Sequence, residues 1–401
     1  MNQRSLRTID TIPVGPLGVI PLASCSEIGK KVDNYLVNWR HANTSEHKSN
    51  ITFSWYEKDS FIVDASVPRF GSGEAKALLS ESVRGQDLYL IVDVCNNSLT
   101  YKMCGHENRM SPDDHYQDLK RVIAACNGKA RRINVIMPFM YESRQHARSG
   151  IESLDCAYAL EELHEMGVSN IITFDAHDAR VQNAIPLSGF DDVQTTYQMI
   201  KALLREYPDI DIDPDQTMII SPAEGGMGKC MYYSSVLGCD LGMFYKRRDS
   251  STVVNGKNPI VAHEYLGRDV KGKDGIGVDD MISSGDSLLD VATQLKQKGA
   301  KRIFAFATFG LFTDGFDKID AAFKYGVFTS IFTTNLVYRT PELLAREWYT
   351  EVNMCKYVAY IIDTLNHDET ISTLLNPVKR IHNLLEKHKK AQGGQMKIAF
   401  P

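Results

Sequence analysis

From Ile133 onward, short β-branched runs alternate with stretches of helical period. INVIMPF is followed by a helical period near Leu154–Met166 that stops at Gly167, and then by NIITFDAH. The alternation continues through a helix around Tyr197–Glu206, the strand TMIISP and a helix through Tyr232–Leu237. The strands GMFYKRR and DGIGVDD, a helix over Ser287–Lys298 and the strand RIFAFATF complete it. Apolar strands separated by helices predict an α/β protein with parallel sheets, here two doubly wound units in tandem. In such sheets the loops directly after strands form the ligand rim, so the polar residues there are the candidates for chemistry. Two polar stretches, His41–Asn50 and the tail from His388, read as mobile segments with little packing role.

Composition narrows the partners. The 401 residues are 43% hydrophobic, enough to build two ordinary cores. With 45 Lys+Arg against 50 Asp+Glu, the formal charge of -5 gives no general attraction for a nucleic-acid backbone. The eight cysteines show neither a CxxC nor a paired spacing, and read as reduced core thiols. Cys104 and His106 lack a second ligand pair, which argues against zinc. No stretch approaches the ~18 apolar residues of a membrane helix, and the polar N-terminus has no signal-peptide run, so a cytoplasmic protein is expected. Asp113, Asp114 and His115 resemble a metal cluster, but Ser111 as N-cap with Pro112 at the first helical position explains them better.

The most informative segment is Ile276–Asp290, IGVDDMISSGDSLLD, which runs from a buried strand through an acidic pair into a Ser/Gly turn and a helix. Ser284, Gly285, Asp286 and Ser287 can offer backbone N–H groups and two hydroxyls where unsatisfied donors and the helix dipole favour an anion. Asp279 and Asp280 are placed to accept hydrogen bonds from sugar hydroxyls or to hold a hydrated cation. Taken alone, SSGDS reads equally as a serine N-cap; joined to VDDM it reads as a phosphomonoester cradle.

This segment resembles the VDDMxDTxGT loop shared by type I phosphoribosyltransferases and ribose-phosphate pyrophosphokinases. Further motifs single out the second family. Arg69–Glu74 (RFGSGE) is similar to its RFSDGE, and MPFMYESRQHAR, ending at Arg148, to its PYFGYARQDRR. Asp175–Gln182 (DAHDARVQ) resembles DLHADQIQ, Ser221–Gly226 (SPAEGG) resembles SPDxGG, and Lys246–Arg248 (KRR) resembles the family's flexible catalytic loop. The matches lie in register from Gly15 to Leu375.

The resemblance implies an enzyme that moves the β,γ-diphosphoryl group of ATP onto the anomeric hydroxyl of ribose 5-phosphate, with Mg²⁺. It implies a first domain over residues 15–189 (ATP side and oligomer contacts), a second over 190–375 (ribose 5-phosphate and the catalytic loop), and a tail over 376–401. Lys246 and Arg248 would close over the ATP phosphates. His177 would ligate a metal or contact those phosphates, although a satisfied rim histidine is the plain alternative. Arg144, Gln145 and His146 would bind ATP, as would Phe70, Ser72, Gly73 and Glu74 from a neighbouring subunit, which implies a dimer-based homo-oligomer, hexamer included. Phe70 read without the family could equally be core. Ser283, Ser284, Gly285, Asp286 and Ser287, with Asp279 and Asp280, would hold ribose 5-phosphate. Asp175, His177 and Glu224 would hold the metal.

Four carboxylates of the family pattern are missing. Ala223 stands in the SPD position, Ser72 in FSDGE, His146 in RQD and Ser283 in the ribose loop. Glu224 is the candidate substitute for the first. The stretch after Gln182 is shorter than the family's and lacks its GFFD, so no allosteric site is carried over. These departures keep two alternatives open: a non-catalytic regulatory paralog, and a diphosphokinase or phosphoribosyltransferase acting on another ribosyl phosphate.

Overall fold

The structure is a computed structural model that describes residues 11–46, 55–248 and 260–393; the side chains of 43–46, 246–248 and 260–263 lie outside that description. Two parallel sheets organise it. The first has five strands, Leu17–Pro21, Asp87–Ile91, Arg132–Ile136, Asn170–Phe174 and Gly189–Val193, hydrogen-bonded side by side in chain order. Val19, Leu90, Val135 and Ile172 in their centres are fully buried. Runs that are apolar on both faces fit only a covered parallel sheet.

The second sheet has seven strands. Its order is Ile260–Leu266, Asp240–Arg248, Thr217–Ser221, Asp274–Ile282, Ile303–Gly310, Ser330–Thr334 and Tyr349–Val352. All neighbours are parallel except the edge pair Asp240–Arg248 with Ile260–Leu266. Strand order reverses where Thr217–Ser221 adjoins Asp274–Ile282, so two loops diverge there and leave a crevice at their C-terminal ends. The reversal expected of a doubly wound sheet is thus present in the second sheet, while the first runs straight through.

The last strand of the first sheet, Gly189–Val193, pairs in register with Asn170–Phe174. The first sheet's packing also draws on residues far down the chain. Helix Cys355–Asn366 lies against helix Ser26–Glu46, with Trp39 and Tyr360 rings 4.5 Å apart. Arg40, 1% exposed, donates to Asn366 Oδ1 at 2.7 Å and Asp363 Oδ1 at 3.3 Å. Asn366 in turn donates to Asp87 Oδ2 at 2.9 Å. A buried guanidinium needs such acceptors, since losing them leaves a charge in a poorly solvated place.

Two readings of polar segments need correction. Helix Val378–Gln392 buries Ile381, Leu384 and His388, and His388 Nε2 lies 2.8 Å from the Ile210 carbonyl oxygen. The stretch from His388 to Gln392 is therefore helical and anchored, with His388 buried and the Gln392 amide donating to the Pro208 and Ile210 carbonyls, while Lys389 and Lys390 face solvent. His41 lies within helix Ser26–Glu46 with Nδ1 2.5 Å from Glu57 Oε1, and residues 47–50 lie outside the described residues. Ser111 caps helix Pro112–Cys126, as the sequence predicts, and the structure adds a reciprocal box with Asp114.

Candidate active site

The crevice at the strand-order reversal gathers the ends of both sheets. Strand Asp274–Ile282 delivers Asp279 and Asp280, and the chain then turns through Ser283–Gly285 into helix Asp286–Gln297. Gly285 has φ +88°, a left-handed conformation suited to glycine, and a Cβ there would sit 3.2 Å from Ile319 Cδ1. Ser284 Oγ donates to Asp286 Oδ2 at 3.2 Å, and the Asp286 carboxylate is paired with Lys318 at 2.8 Å.

From the first sheet, the loop after Asn170–Phe174 brings His177 into contact with this strand end: its Nδ1 lies 2.6 Å from Asp280 Oδ2. The hydrogen bond raises the His177 pKa against the opposing effect of burial. Burial would raise Asp280, but the hydrogen bonds from His177 and Asp279, with the charges of His177 and Lys229, together hold that carboxyl below the usual range. Asp279 shows the reverse, raised by burial and then by its ionised neighbour. The crevice therefore holds a histidine–carboxylate pair in which each partner favours the other's charged form, beside a second carboxyl whose ionisation burial and Asp280 oppose.

His146 joins this group, its ring centroid 5.2 Å from that of His177 and its Nε2 3.6 Å from Asp178. Its Nδ1 is buried without a hydrogen-bond partner. Arg180 grips Asp178 in a fork and lowers its pKa to about 2. Arg144 is exposed nearby, while the Gln145 amide donates to the carbonyls of Ala147 and Ser153.

The proposed metal set does not assemble. Asp175 points away from His177: its Oδ2 accepts from the hydroxyls of Thr195 and Thr308, each at 2.5 Å, and faces Lys229 Nζ at 3.2 Å. Glu224 is exposed in the short turn Glu224–Gly226. Among the described residues no three His, Cys, Asp or Glu side chains converge to hold an ion. Ala223 is extended and its carbonyl accepts from Ser221 Oγ at 2.7 Å.

The Phe70–Glu74 turn lies apart from this cluster. Phe70 N–H donates to the Glu74 carbonyl, Ser72 Oγ to Glu74 Oε2 at 2.8 Å, and Gly73 has φ +92°. Gly71 accepts from Cys104, so the turn packs on the Thr100–Arg109 hairpin. Phe70 is 51% exposed and is not core. Lys246 and Arg248 end the strand next to the edge, opposite His263 and Ile260 of the edge strand, with a register irregularity after Arg247; their side chains lie outside the described residues.

Sequence reasoning passed over Lys229. It lies in helix Met227–Leu237, directly after SPAEGG, where a lone lysine reads as a solvated helix face. Its ammonium instead points into the seam beneath Asp279.

An acidic strand end beside a Ser/Gly helix N-terminus, at a strand-order reversal, defines an α/β protein of the phosphate-binding, doubly wound class. Comparison with known proteins is more specific. Residues 18–167 match the N-terminal domain of ribose phosphate pyrophosphokinase, and residues 250–376 the phosphoribosyl synthetase-associated domain. A ribose-phosphate pyrophosphokinase of Vibrio parahaemolyticus is 29% identical over 321 residues, covering 78% of this chain and 91% of the relative. Ribose-phosphate pyrophosphokinase A of Dictyostelium discoideum is 26% identical over 317 residues, 79% of this chain and 90% of the relative. The crystal structure of phosphoribosylpyrophosphate synthetase from Mycobacterium smegmatis shares the fold, with a TM-score of 0.69 and 20% identity over 88% of this chain and 99% of that one. The chain belongs to the ribose-phosphate pyrophosphokinase family.

Proposed function

We propose that this protein transfers the β,γ-diphosphoryl group of ATP to the C1 hydroxyl of ribose 5-phosphate, giving phosphoribosyl diphosphate and AMP. The observation that carries this reading is the 2.6 Å contact between His177 of the first sheet and Asp280 of the second, which joins the ATP side to the ribose side at one crevice. In the reaction a bond forms between the C1 oxygen and the β-phosphorus, the bond from that phosphorus to the α,β-bridging oxygen breaks, and the C1 hydroxyl gives up its proton. Such a transfer needs positioning and charge neutralisation more than covalent help.

The Ser283–Ser287 turn would hold the 5-phosphate through backbone N–H groups, and Asp279 and Asp280 would orient the ribose hydroxyls. His177, whose charged form Asp280 favours, and Lys246 and Arg248 would meet the ATP phosphates, where negative charge shifts toward the departing AMP. Arg144, Gln145 and His146 would contact ATP. The exposed Phe70 turn, with Ser72, Gly73 and Glu74, would serve a neighbouring copy, which makes the active unit a homo-oligomer.

Mg²⁺ fits the oxygen donors Asp279 and Asp280 together with substrate phosphates, because it needs only one or two carboxylates and keeps several waters. When bound, it neutralises phosphate oxygens. The Asp175, His177 and Glu224 set is not required for this.

A second reading, a non-catalytic partner of an active synthetase, draws on Ala223, whose methyl side chain cannot serve a cation. Incubation with ATP, Mg²⁺ and ribose 5-phosphate, followed by chromatography, separates the two. AMP above an ATP-only control is the expected result; its absence overturns the enzymatic reading, and ADP in its place means single phosphoryl transfer.

A further inference from the structure

The Lys229 ammonium donates two hydrogen bonds and makes one ion pair. It lies 3.2 Å from Asp175 Oδ2, 3.2 Å from the Asp279 carbonyl oxygen and 3.0 Å from Thr308 Oγ1. These partners come from different places: Asp175 directly follows a strand of the first sheet, whereas Asp279 and Thr308 lie on neighbouring strands of the second. Asp175 sits two residues before His177, and Asp279 one before Asp280. The side chains of Lys229 and Asp175 are 18% and 6% exposed, against 37% and 17% for His177 and Asp280, so the Asp175 end of the bridge is the most buried of the four.

The backbone at Asp175 supports a fixed role. Its φ of +43° is left-handed, which few non-glycine residues adopt without local compensation. The compensation is visible in the bonds its carboxylate takes from Thr195 N–H, Thr195 Oγ1 and Thr308 Oγ1. That turn aims the following residues, His177 among them, at the second sheet.

We propose that Lys229 is a positioning residue: by bridging Asp175 and the Asp279 carbonyl it sets the separation between the ATP-side loop of the first sheet and the ribose-side strand of the second. It touches neither substrate. Its removal therefore loosens their juxtaposition rather than their individual binding.

This inference rests on the diphosphoryl-transfer reading, so wild-type AMP release is measured first; its absence overturns that reading. For the bridge, Lys229→Met and Asp175→Asn are compared. Each is expected to lower kcat by about 100-fold, the scale of an ångström-sized misplacement. KM for ATP and for ribose 5-phosphate should stay within about threefold, because ground-state binding is intact. The double variant should be no worse than either single, since both remove one bridge. Lys229→Arg, which keeps the charge, should recover most of the loss and also serves if the methionine variant does not fold. Independently of turnover, amide hydrogen exchange should rise together at 175–178 and 279–282 in Lys229→Met and in Asp175→Asn. Unchanged kcat in active protein, a loss confined to the KM of one substrate, additive single effects, or exchange confined to one segment overturns the proposal.

Discussion

His177 Nδ1 and Asp280 Oδ2 stand 2.6 Å apart although 103 residues separate them in the chain. The contact joins two sheets that share no strand, and each partner stabilises the charged form of the other. Replacing His177 with Ala removes the hydrogen-bond partner of Asp280 and leaves the Asp279–Asp280 carboxyls to face each other. We expect kcat for AMP release to fall about 100-fold, the scale for loss of one preorganised electrostatic contact. Turnover within a factor of a few of wild type would remove His177 from the mechanism.

Asp93 offers a test by pH away from the crevice. Its carboxylate accepts from Cys95 N–H at 2.8 Å and Tyr338 N–H at 2.6 Å. Burial nevertheless raises it from the ordinary 3.8 to about 7. A carboxyl raised by folding contributes most below its unfolded pKa and loses that contribution as pH climbs through its folded pKa. The melting temperature of wild type relative to Asp93→Asn should therefore decline from about pH 4 to about pH 7. A difference that stays flat across this window would contradict the assignment.

Asp286 places a carboxylate at the first turn of the helix that would cradle the 5-phosphate, with Lys318 2.8 Å away as its counter-charge. An anion there competes with the ligand for the same N–H groups. Asp286→Gly should lower KM for ribose 5-phosphate severalfold, and Lys318→Ala alone should raise it. Steady-state kinetics in ribose 5-phosphate checks both, and opposite signs would move the phosphate site elsewhere.

Ile381 is fully buried in the last described helix. Ile381→Ala should destabilise the protein by about 3 kcal/mol, the usual cost of emptying a buried aliphatic site. Denaturant titration of the whole chain measures it. A loss below about 1 kcal/mol would mean that the helix is dispensable.

Much of the crevice could be read from the chain because its parts are contiguous. VDDMISSGDS holds both the acidic strand end and the turn, and the pattern of a buried strand followed by a small-residue turn is local physics. The Ser111 cap is equally local. What escaped reading depends on distance along the chain. Lys229 looks like any surface lysine until Asp175, 54 positions earlier, turns toward it (229 − 175). Helix Val378–Gln392 carries an apolar period, but its many Lys and His residues mask it in any average over the segment. From the family's motif Asp175 reads as a metal residue; its left-handed backbone and its bonds to Thr195 and Thr308 are visible only in three dimensions.

The return of Cys355–Asn366 onto Ser26–Glu46 bears on how the protein is made. A ribosome releases the N-terminal sheet long before the helix that covers it, so during synthesis Arg40 lacks the Asp363 and Asn366 oxygens that it meets in the finished molecule. The front half thus reaches its final packing only after residue 366 has left the exit tunnel, and a prematurely terminated product carries an unclosed first lobe for quality control to find.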